Sequence, residues 1–275
     1  MRPLIVKQTT QLQDFLLNFY NKKNVKKYLK YKQVHLNGSN EVRFDTLCQP
    51  GDQVEIKEAA KTGLDIIYED DELVVIDKPA GLLSIAGGNE KEQTAYHQVS
   101  LYLKETNPKA RVFVLHRLDR DTSGILMFAK NERIKKLLQD KWNDIVTHRG
   151  YYALCEGKLP KEKDRIVNYL KESKTQQVYI AKDGKKAITD YEVMKSSKGN
   201  TLARIFLQTG RKNQIRVTLS SLNCPIVGDK KYGSVTNPIR RLGLHAYCFG
   251  FVHPITMKKY YFESAIPEEF ERVFK

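Results

Sequence analysis

The loop that decides the fold is His116-Arg117-Leu118-Asp119-Arg120-Asp121-Thr122-Ser123-Gly124, or HRLDRDTSG in one-letter code. Apolar runs flank it, VFVL at 112–115 and ILMFAK at 125–130, and each run has the composition of a buried strand. Loops held between rigid strands are where proteins place binding and catalytic groups. The stretch is either such a site or an ordinary polar hairpin with turn residues, and from the residues alone the two explanations are equally good.

The chain on either side of this loop alternates β-rich runs with short helices. Strands are predicted at 73–76, 112–115, 125–129, 151–155, 178–180, 188–193, 202–207 and 260–262. Helices are predicted at 94–105, 132–142 and 213–222. Because the strands outnumber the helices and follow one another as in a meander, the sequence favours an α+β fold with an extended, mixed and mostly antiparallel sheet.

The first 57 residues have the pattern of a separate small α/β domain. Leu12, Phe15, Leu16 and Phe19 recur at helical spacing, and a second helix is predicted within 21–33. Strands are predicted at 34–36, before an Asn-Gly turn, and at 54–56, after a Pro-Gly-Asp turn. The predicted domains are therefore 1–57 and 65–275, with residues 58–64 as the linker.

Lysines line one face of the second predicted helix. They are Lys22, Lys23, Lys26, Lys27 and Lys30. No acidic residue lies between positions 22 and 32, so intrahelical ion pairs cannot neutralise these lysines. The face is either simply solvated or binds the phosphates of a nucleic acid.

The whole chain is strongly basic. Its 275 residues contain 47 Lys and Arg against 32 Asp and Glu, which gives a formal net charge of +15. Such a surplus favours a polyanionic partner, because each cation docked on a phosphate releases condensed counterions. A charge that only keeps the protein soluble explains the surplus equally well.

The cysteines and the apolar runs indicate a soluble cytoplasmic protein. Cys48, Cys155, Cys224 and Cys248 lie far apart, without histidines at metal-ligand spacing, so no zinc site is expected. Scattered thiols are typical of reduced, intracellular proteins. The sequence starts without an apolar signal stretch and has no run long enough to span a bilayer, so no membrane association is expected.

The central loop resembles the HRLD-x-x-TSG signature of the RluA-type pseudouridine synthases, and every fixed position of that signature is present. Four further segments resemble the family's motifs in the family's order. They are YEDDELVVIDKPAGLLSI at 68–85, RGYYALCEG at 149–157, TGRKNQIRVTLSSLNCPIVGDKKYG at 209–233 and LHAYCFGFVHP at 244–254. The first 60 or so residues resemble the alpha-L (ribosomal S-four type) RNA-binding domain in VHLNG and PGDQVEI, although that type usually carries arginines where this chain has lysines.

The resemblance implies an isomerase that converts uridine in RNA to pseudouridine. It implies that Asp119 is the catalytic aspartate, that Tyr151 stacks on the target base and that Arg216 pairs with the aspartate. Arg117 is implied to fill the gap that the flipped uridine leaves in the RNA. The isomerisation gains no atoms or electrons, so neither a cofactor nor a metal is expected.

Each of these residues also has an ordinary structural explanation. Arg216 lies on a predicted helix with an apolar face, where it could be a surface arginine that flanks this face. Tyr151 lies on a predicted strand, where it could be an ordinary residue of the hydrophobic core. The third motif departs from the family at Asn213 and Thr218, where histidines are common, and Asn213 suits a helix N-cap. The motif histidines His116, His245 and His253 are expected to make structural hydrogen bonds.

The expected substrate is ribosomal RNA of the large subunit, because family members with an N-terminal alpha-L domain usually act there. Transfer RNA is the alternative target, and a monomer is expected. A non-catalytic RNA-binding or ribosome-assembly factor on the same fold is the alternative from a different class. A carboxylate-based nucleoside hydrolase fits less well, because the basic surface and the first domain would be superfluous.

Overall fold

The computed structural model describes residues 3–30, 33–39, 42–56, 64–87, 94–197 and 199–275. The chain folds into two compact units, residues 1–63 with 101–110, and residues 64–100 with 111–275. The predicted linker at 58–64 lies outside the described residues except for Leu64, so the predicted domain boundaries stay a prediction. Within the described segments, no helix has both the length and the apolar composition that crossing a membrane requires.

The described residues between 3 and 56, which belong to the first unit, form short strands and two helices. Its elements are β1 (Leu4–Ile5), β2 (Thr10–Gln11), α1 (Leu12–Leu17), α2 (Lys22–Lys30), β3 (Val34–Leu36), β4 (Leu47–Cys48) and β5 (Gln53–Ile56). β5 lies between β1 and β3 in a sheet, and β2 pairs with β4. Both predicted helices and both predicted strands are confirmed.

The predicted helical spacing in α1 faces the core of this unit. Leu12, Phe15 and Leu16 are buried, together with Val25 of α2. Phe19 is the exception, because α1 ends before it and its side chain is 52% exposed. The Asn-Gly turn after β3 has positive φ at both residues, 50° and 87°, as a tight hairpin turn requires.

The remaining elements follow in chain order. They are β6 (Asp65–Glu69), β7 (Leu73–Lys78), α3 (Ala95–Thr106), β8 (Phe113–Val114), β9 (Ser123–Ala129), α4 (Glu132–Asp140), α5 (Trp142–Ile145), β10 (Val146–Glu156), β11 (Lys163–Glu172), β12 (Val178–Ile180), β13 (Lys185–Ser196), β14 (Asn200–Leu207), α6 (Gln214–Ser221), β15 (Leu244–Val252), β16 (Lys259–Glu263) and α7 (Glu268–Arg272).

The described residues of the second unit form an 11-stranded sheet in the order β12-β11-β13-β14-β10-β15-β9-β7-β6, with β16 paired to β15 and β8 paired to β9. The pair β15–β9 is parallel, and the other pairs are antiparallel. The predicted α+β fold with a mixed, mostly antiparallel sheet is therefore confirmed. The predicted helix at 132–142 is divided, because α4 ends at Asp140 and Lys141 leaves the helical region at φ −107°.

The parallel pair β9–β15 fixes the end of the HRLDRDTSG loop. Ser123 lies opposite His245 and Gly124 opposite Ala246. Gly124 has φ +110°, and a Cβ there would lie 2.2 Å from the carbonyl oxygen of Ala246. Only glycine fits this approach, so the last residue of the signature fixes where the loop joins the sheet.

Candidate active site

A cavity of about 340 Å³ opens beside the HRLDRDTSG loop. The loop, β10 and the segment from Leu207 to Arg216 supply most of its wall, with Trp142, Leu244 and Phe249 completing it. Asp119, Tyr151, Arg216 and Arg117, which come from three separate motifs, all line it. The structure therefore brings the predicted site residues of this unit together, while their chemical roles stay predictions.

Asp119 and Arg216 are in direct contact. Nη1 of Arg216 donates to Oδ2 of Asp119 at 3.1 Å, and also lies 3.4 Å from Oδ1 of Asn213. The Arg216 side chain is 15% exposed, so the surface-arginine explanation is wrong. The guanidinium places positive charge opposite the carboxylate inside the cavity.

A second carboxylate, which was not predicted from the sequence, holds Arg216 in place. Asp229 accepts from Nε and Nη2 of Arg216, both at 2.7 Å, in a bidentate pair, and its side chain is 1% exposed. The guanidinium also lies 4.9 Å from the ring centre of Tyr232. Both residues belong to the GDKKYG end of the third motif, which was the available signal.

Charge and burial act in opposite directions on Arg216. Burial alone would lower the pKa of its guanidinium, but the hydrogen bonds and charge of Asp229 and the charge of Asp119 raise the pKa above its ordinary value. Arg216 is therefore a fixed cation at neutral pH. Its planar fork divides its donors between the buried Asp229 and the cavity-lining Asp119.

Tyr151 forms another part of the cavity wall, from β10. Its ring is partly buried and packs against the core cluster beneath α6. Burial raises the pKa of its phenol to about 12, so the hydroxyl is neutral at physiological pH. A neutral aromatic ring at this place is suited to stacking on a flat heterocycle.

The segment Lys78-Pro79-Ala80-Gly81 holds the backbone of the HRLDRDTSG loop by hydrogen bonds. The fully buried Lys78 donates from Nζ to the carbonyl oxygens of Pro79, Leu82 and Arg120 at 2.9, 2.7 and 3.0 Å. The amide of Gly81 donates to the same Arg120 carbonyl. The backbone next to Asp119 is therefore anchored to β7.

The other predicted RNA-binding residues are placed differently. Arg117 is exposed at the cavity rim, and among the described residues its guanidinium has no hydrogen-bond or ion-pair partner. Lys22 and Lys26 are exposed on α2 of the first unit. The side chains of Lys23, Lys27 and Lys30 lie outside the described part of the structure.

The motif histidines make structural contacts. His116 stacks on Phe249 at 5.0 Å between ring centres and accepts from the amide of Met127 at 3.2 Å, and burial lowers its pKa to about 4. His245 bridges the hydroxyls of Ser123 and Ser264. His253 accepts from the amide of Thr256 at 3.1 Å.

Asn213 occupies the N-cap position of α6, as predicted, but the expected capping hydrogen bond of its side chain is not formed. Asn213 precedes α6 but has φ +53°, and its side chain caps nothing. Its amide instead donates to the Tyr232 hydroxyl at 2.8 Å, because the residue is recruited to the network around Arg216.

The cavity offers the groups that chemistry on a nucleoside requires. A carboxylate can act as nucleophile or base, a guanidinium can balance its charge, and an aromatic ring can hold a flat base. Among the described residues, no three His, Cys, Asp or Glu side chains cluster in a way that could hold a metal ion.

Comparison with known proteins identifies the family. The family model of RNA pseudouridylate synthases matches residues 72–221. The uncharacterized RNA pseudouridine synthase YlyB of Bacillus subtilis is 32% identical over 267 residues, covering 92% of this chain and 88% of that protein. The ribosomal large subunit pseudouridine synthase D of Borreliella burgdorferi is 32% identical over 216 residues, covering 75% of this chain and 65% of that protein.

A solved structure supports the fold. Human RNA Pseudouridylate Synthase Domain Containing 4 superposes with a TM-score of 0.62 at 22% identity, covering 75% of this chain and 90% of that one. The family match, the relatives and the complete HRLDRDTSG signature agree with one another. The chain therefore belongs to the RNA pseudouridylate synthases of the RluA type, and it is an isomerase that acts on RNA.

Proposed function

We propose that this isomerase uses Asp119 to convert uridines of large-subunit ribosomal RNA to pseudouridine. One observation carries the assignment of Asp119. It is the only carboxylate among the described residues that line the cavity. The name of the Borreliella relative, a ribosomal large subunit pseudouridine synthase, supports the choice of RNA.

The reaction breaks the bond between the ribose and N1 of uracil, turns the base and rejoins it through C5. Asp119 acts on the nucleoside as nucleophile or base while the base is detached. Arg216, fixed by Asp229, balances the charge of Asp119 throughout. Tyr151 keeps the detached uracil in place by stacking, and Arg117 enters the RNA where the uridine has left the stack.

We also propose that residues 1–57 form the alpha-L RNA-binding domain and that the lysines of α2 contact phosphates. The order of its elements, two short helices followed by β3 and β5, supports this assignment. The protein would act as a monomer in the cytoplasm, where ribosomal RNA is assembled and modified.

Two measurements test the proposal. Purified protein should release tritium from large-subunit ribosomal RNA labelled at uracil C5, and it should do so less on transfer RNA. Pseudouridine maps of RNA from cells with and without the gene should differ at large-subunit positions. A difference confined to transfer RNA would overturn the choice of RNA, and no tritium release from any RNA would favour the non-catalytic binding factor.

A further inference from the structure

A second cavity, of about 630 Å³, lies next to the first. The two share Trp142, Arg149, Leu207, Gly210 and Arg211 as lining residues. A nucleotide in the first cavity is joined through its phosphates to the nucleotides on either side. A contiguous cavity is therefore within reach of one of those neighbours.

The residue between the two cavities is a cation without a carboxylate partner. Arg149 is partly buried, and Nη2 donates to the carbonyl oxygen of Gln208, at 3.1 Å. Among the described residues no Asp or Glu forms an ion pair with Arg149 or with Arg211. Burial lowers the pKa of the Arg149 guanidinium, the Tyr151 phenol opposes this shift, and the nearby charge of Arg211 adds to it. Two adjacent cations without counter-charge, one of them partly buried, form a site that favours an anion from outside the chain.

The backbone around these cations is built to hold them. A Cβ on Gly210 would lie 2.8 Å from Nη1 of Arg149, so glycine leaves room for the guanidinium. Arg211 donates from Nε to the carbonyl of Lys186 at 3.1 Å, and its amide donates to the buried Gln214 at 3.0 Å. Both arginines are therefore positioned before any ligand arrives.

The acidic residue in the second cavity does not neutralise them. Asp190 accepts from Nε and Nη2 of Arg165 at 2.6 and 2.8 Å, and from the amide of Gln208 at 3.0 Å. Its charge is balanced by Arg165. The site at Arg149 and Arg211 therefore stays positive.

The rest of the second cavity suits a nucleobase. Trp142 and Phe206, both partly buried, present aromatic surface to it. Polar side chains complete the wall: Asn143, Thr147, His148, Gln208 and Thr209. Flat apolar surface beside hydrogen-bonding groups is the combination that binds a base by its face and its edge.

We propose that the second cavity binds the nucleotide adjacent to the target uridine, with the connecting phosphate between Arg149 and Arg211 and the base against Trp142 and Phe206. The inference rests on the RNA pseudouridine synthase activity and not on the kind of RNA, and its test uses the proposed role of Asp119 only to stop turnover. It makes Arg149 a substrate-binding residue that places the target in the first cavity.

The test uses the shortest RNA fragment in which the mapped uridine reacts, bound to the full-length Asp119→Asn protein so that binding is measured without turnover. Two modified fragments carry one neutral methylphosphonate, either 5′ or 3′ of the uridine. One of them should bind about tenfold more weakly than the unmodified fragment, because it loses a charge-assisted contact. Equal binding of all three fragments would overturn the proposal, and this arm does not depend on the folding of any Arg149 variant.

The second arm identifies the partner of that phosphate. Adding Arg149→Met should reduce the difference between the sensitive methylphosphonate fragment and its parent, because only Arg211 then contacts the phosphate, and Arg149→Lys should reduce that difference less. Arg133→Met, an exposed arginine of α4 that lines neither cavity, should behave like the unchanged protein. If the methylphosphonate weakens binding equally with and without Arg149, the phosphate contacts another residue and the proposal is wrong.

The third arm tests the base. The base is removed from the nucleotide on the side of the uridine where the methylphosphonate weakens binding. This abasic fragment should bind the unchanged protein more weakly than its parent does. It should not weaken the binding of the Phe206→Ala protein any further. An abasic nucleotide on the opposite side should weaken both proteins to the same extent. Additive effects of Phe206→Ala and the abasic site on the sensitive side would exclude the second cavity as the binding site of that base.

Discussion

Asp119 and Arg216 are 97 positions apart in the chain, yet their side chains meet at 3.1 Å. If Asp119 is the reacting group, Asp119→Asn should abolish turnover and leave the fold and RNA affinity nearly unchanged, because the amide keeps the shape and loses the charge. Tritium release and fragment binding measure the two effects. Asp121→Asn, in the same loop but exposed and paired with Arg120, is the matched control and should remain active. Pseudouridine formation by Asp119→Asn at a comparable rate would exclude the assignment.

Asp229 gives a second prediction at this scale. Asp229→Asn removes the charged, bidentate partner of Arg216 and leaves a largely buried cation with only Asp119, so unfolding should become easier by about 3 kcal/mol or more. Turnover should also fall, because the guanidinium loses its anchor. The exposed pair of Asp183 and Lys171 supplies the control, since water screens this pair and Asp183→Asn should change stability far less than Asp229→Asn. Equal, small effects of both changes in denaturant titrations would show that Arg216 is held by other groups.

Lys78 should make stability depend on pH. Burial lowers the pKa of its ammonium to about 8 from the ordinary value of 10.5. Between these values the unfolded chain binds more protons than the folded one, so this group makes the free energy of unfolding rise with pH. Relative to Lys78→Met, the wild-type protein should gain on the order of 3 kcal/mol from pH 8 to pH 10.5. Urea titrations of both proteins across this range measure the gain, and a constant difference between them would contradict the prediction.

Among the elements, the parallel pairing of β9 with β15 fixes the end of the HRLDRDTSG loop. Gly124→Ala should destabilise the protein by at least about 3 kcal/mol, because the added methyl meets the Ala246 backbone and the left-handed φ disfavours a side chain. Gly233 has a similar φ of +97° but open space around it, so Gly233→Ala should show only the conformational penalty of about 1–2 kcal/mol. Thermal unfolding of both variants separates the clash with the Ala246 backbone from the conformational penalty. Equal losses of stability in the two variants would mean that packing against β15 does not contribute.

The elements also show which parts of the fold the sequence could predict. β9 was predicted because its residues 125–129 form a continuous apolar run, as expected of a strand that is buried on both faces. The structure shows that each residue of β9 is buried. β11 was missed, because one of its faces is solvated and its residues, KDRIVNYLKE, carry too much charge to indicate a strand. Its pairing with β13 is a long-range contact that no local pattern contains.

The candidate site also contains residues that the sequence predicted and residues that it missed. The carboxylate, the aromatic ring and one cation were found because each occupies a fixed position in a motif. Asp229 and Lys78 were missed as site residues, since their roles come from contacts with Arg216 and with the Arg120 carbonyl. Such roles depend on how distant segments pack and have no signature in the spacing of the residues themselves.

The whole molecule carries a net charge of +15, and some of its cations contact RNA while others are only solvated. Changing Lys22, Lys23, Lys26, Lys27 and Lys30 to glutamine should weaken binding to structured RNA and flatten its salt dependence. Each lost phosphate contact should reduce the slope of log affinity against log salt by roughly 0.7 to 0.9. Single-turnover rates at saturating RNA should be retained, because Asp119, Tyr151 and Arg216 all belong to the second unit.

A matched control separates specific contacts from net charge. Lys136, Lys158, Lys174, Lys182 and Lys259 are exposed in the second unit, and changing them to glutamine lowers the net charge by the same amount. If the α2 lysines bind phosphates, the slope of log affinity against log salt should fall more in the α2 variant than in the control variant. Equal slopes for both variants would mean that the lysine face is only solvated and that RNA senses the charge of the protein as a whole. A collapsed single-turnover rate in the α2 variant would instead mean that the first unit contributes to the reaction itself, because saturating RNA has already removed any deficit in binding.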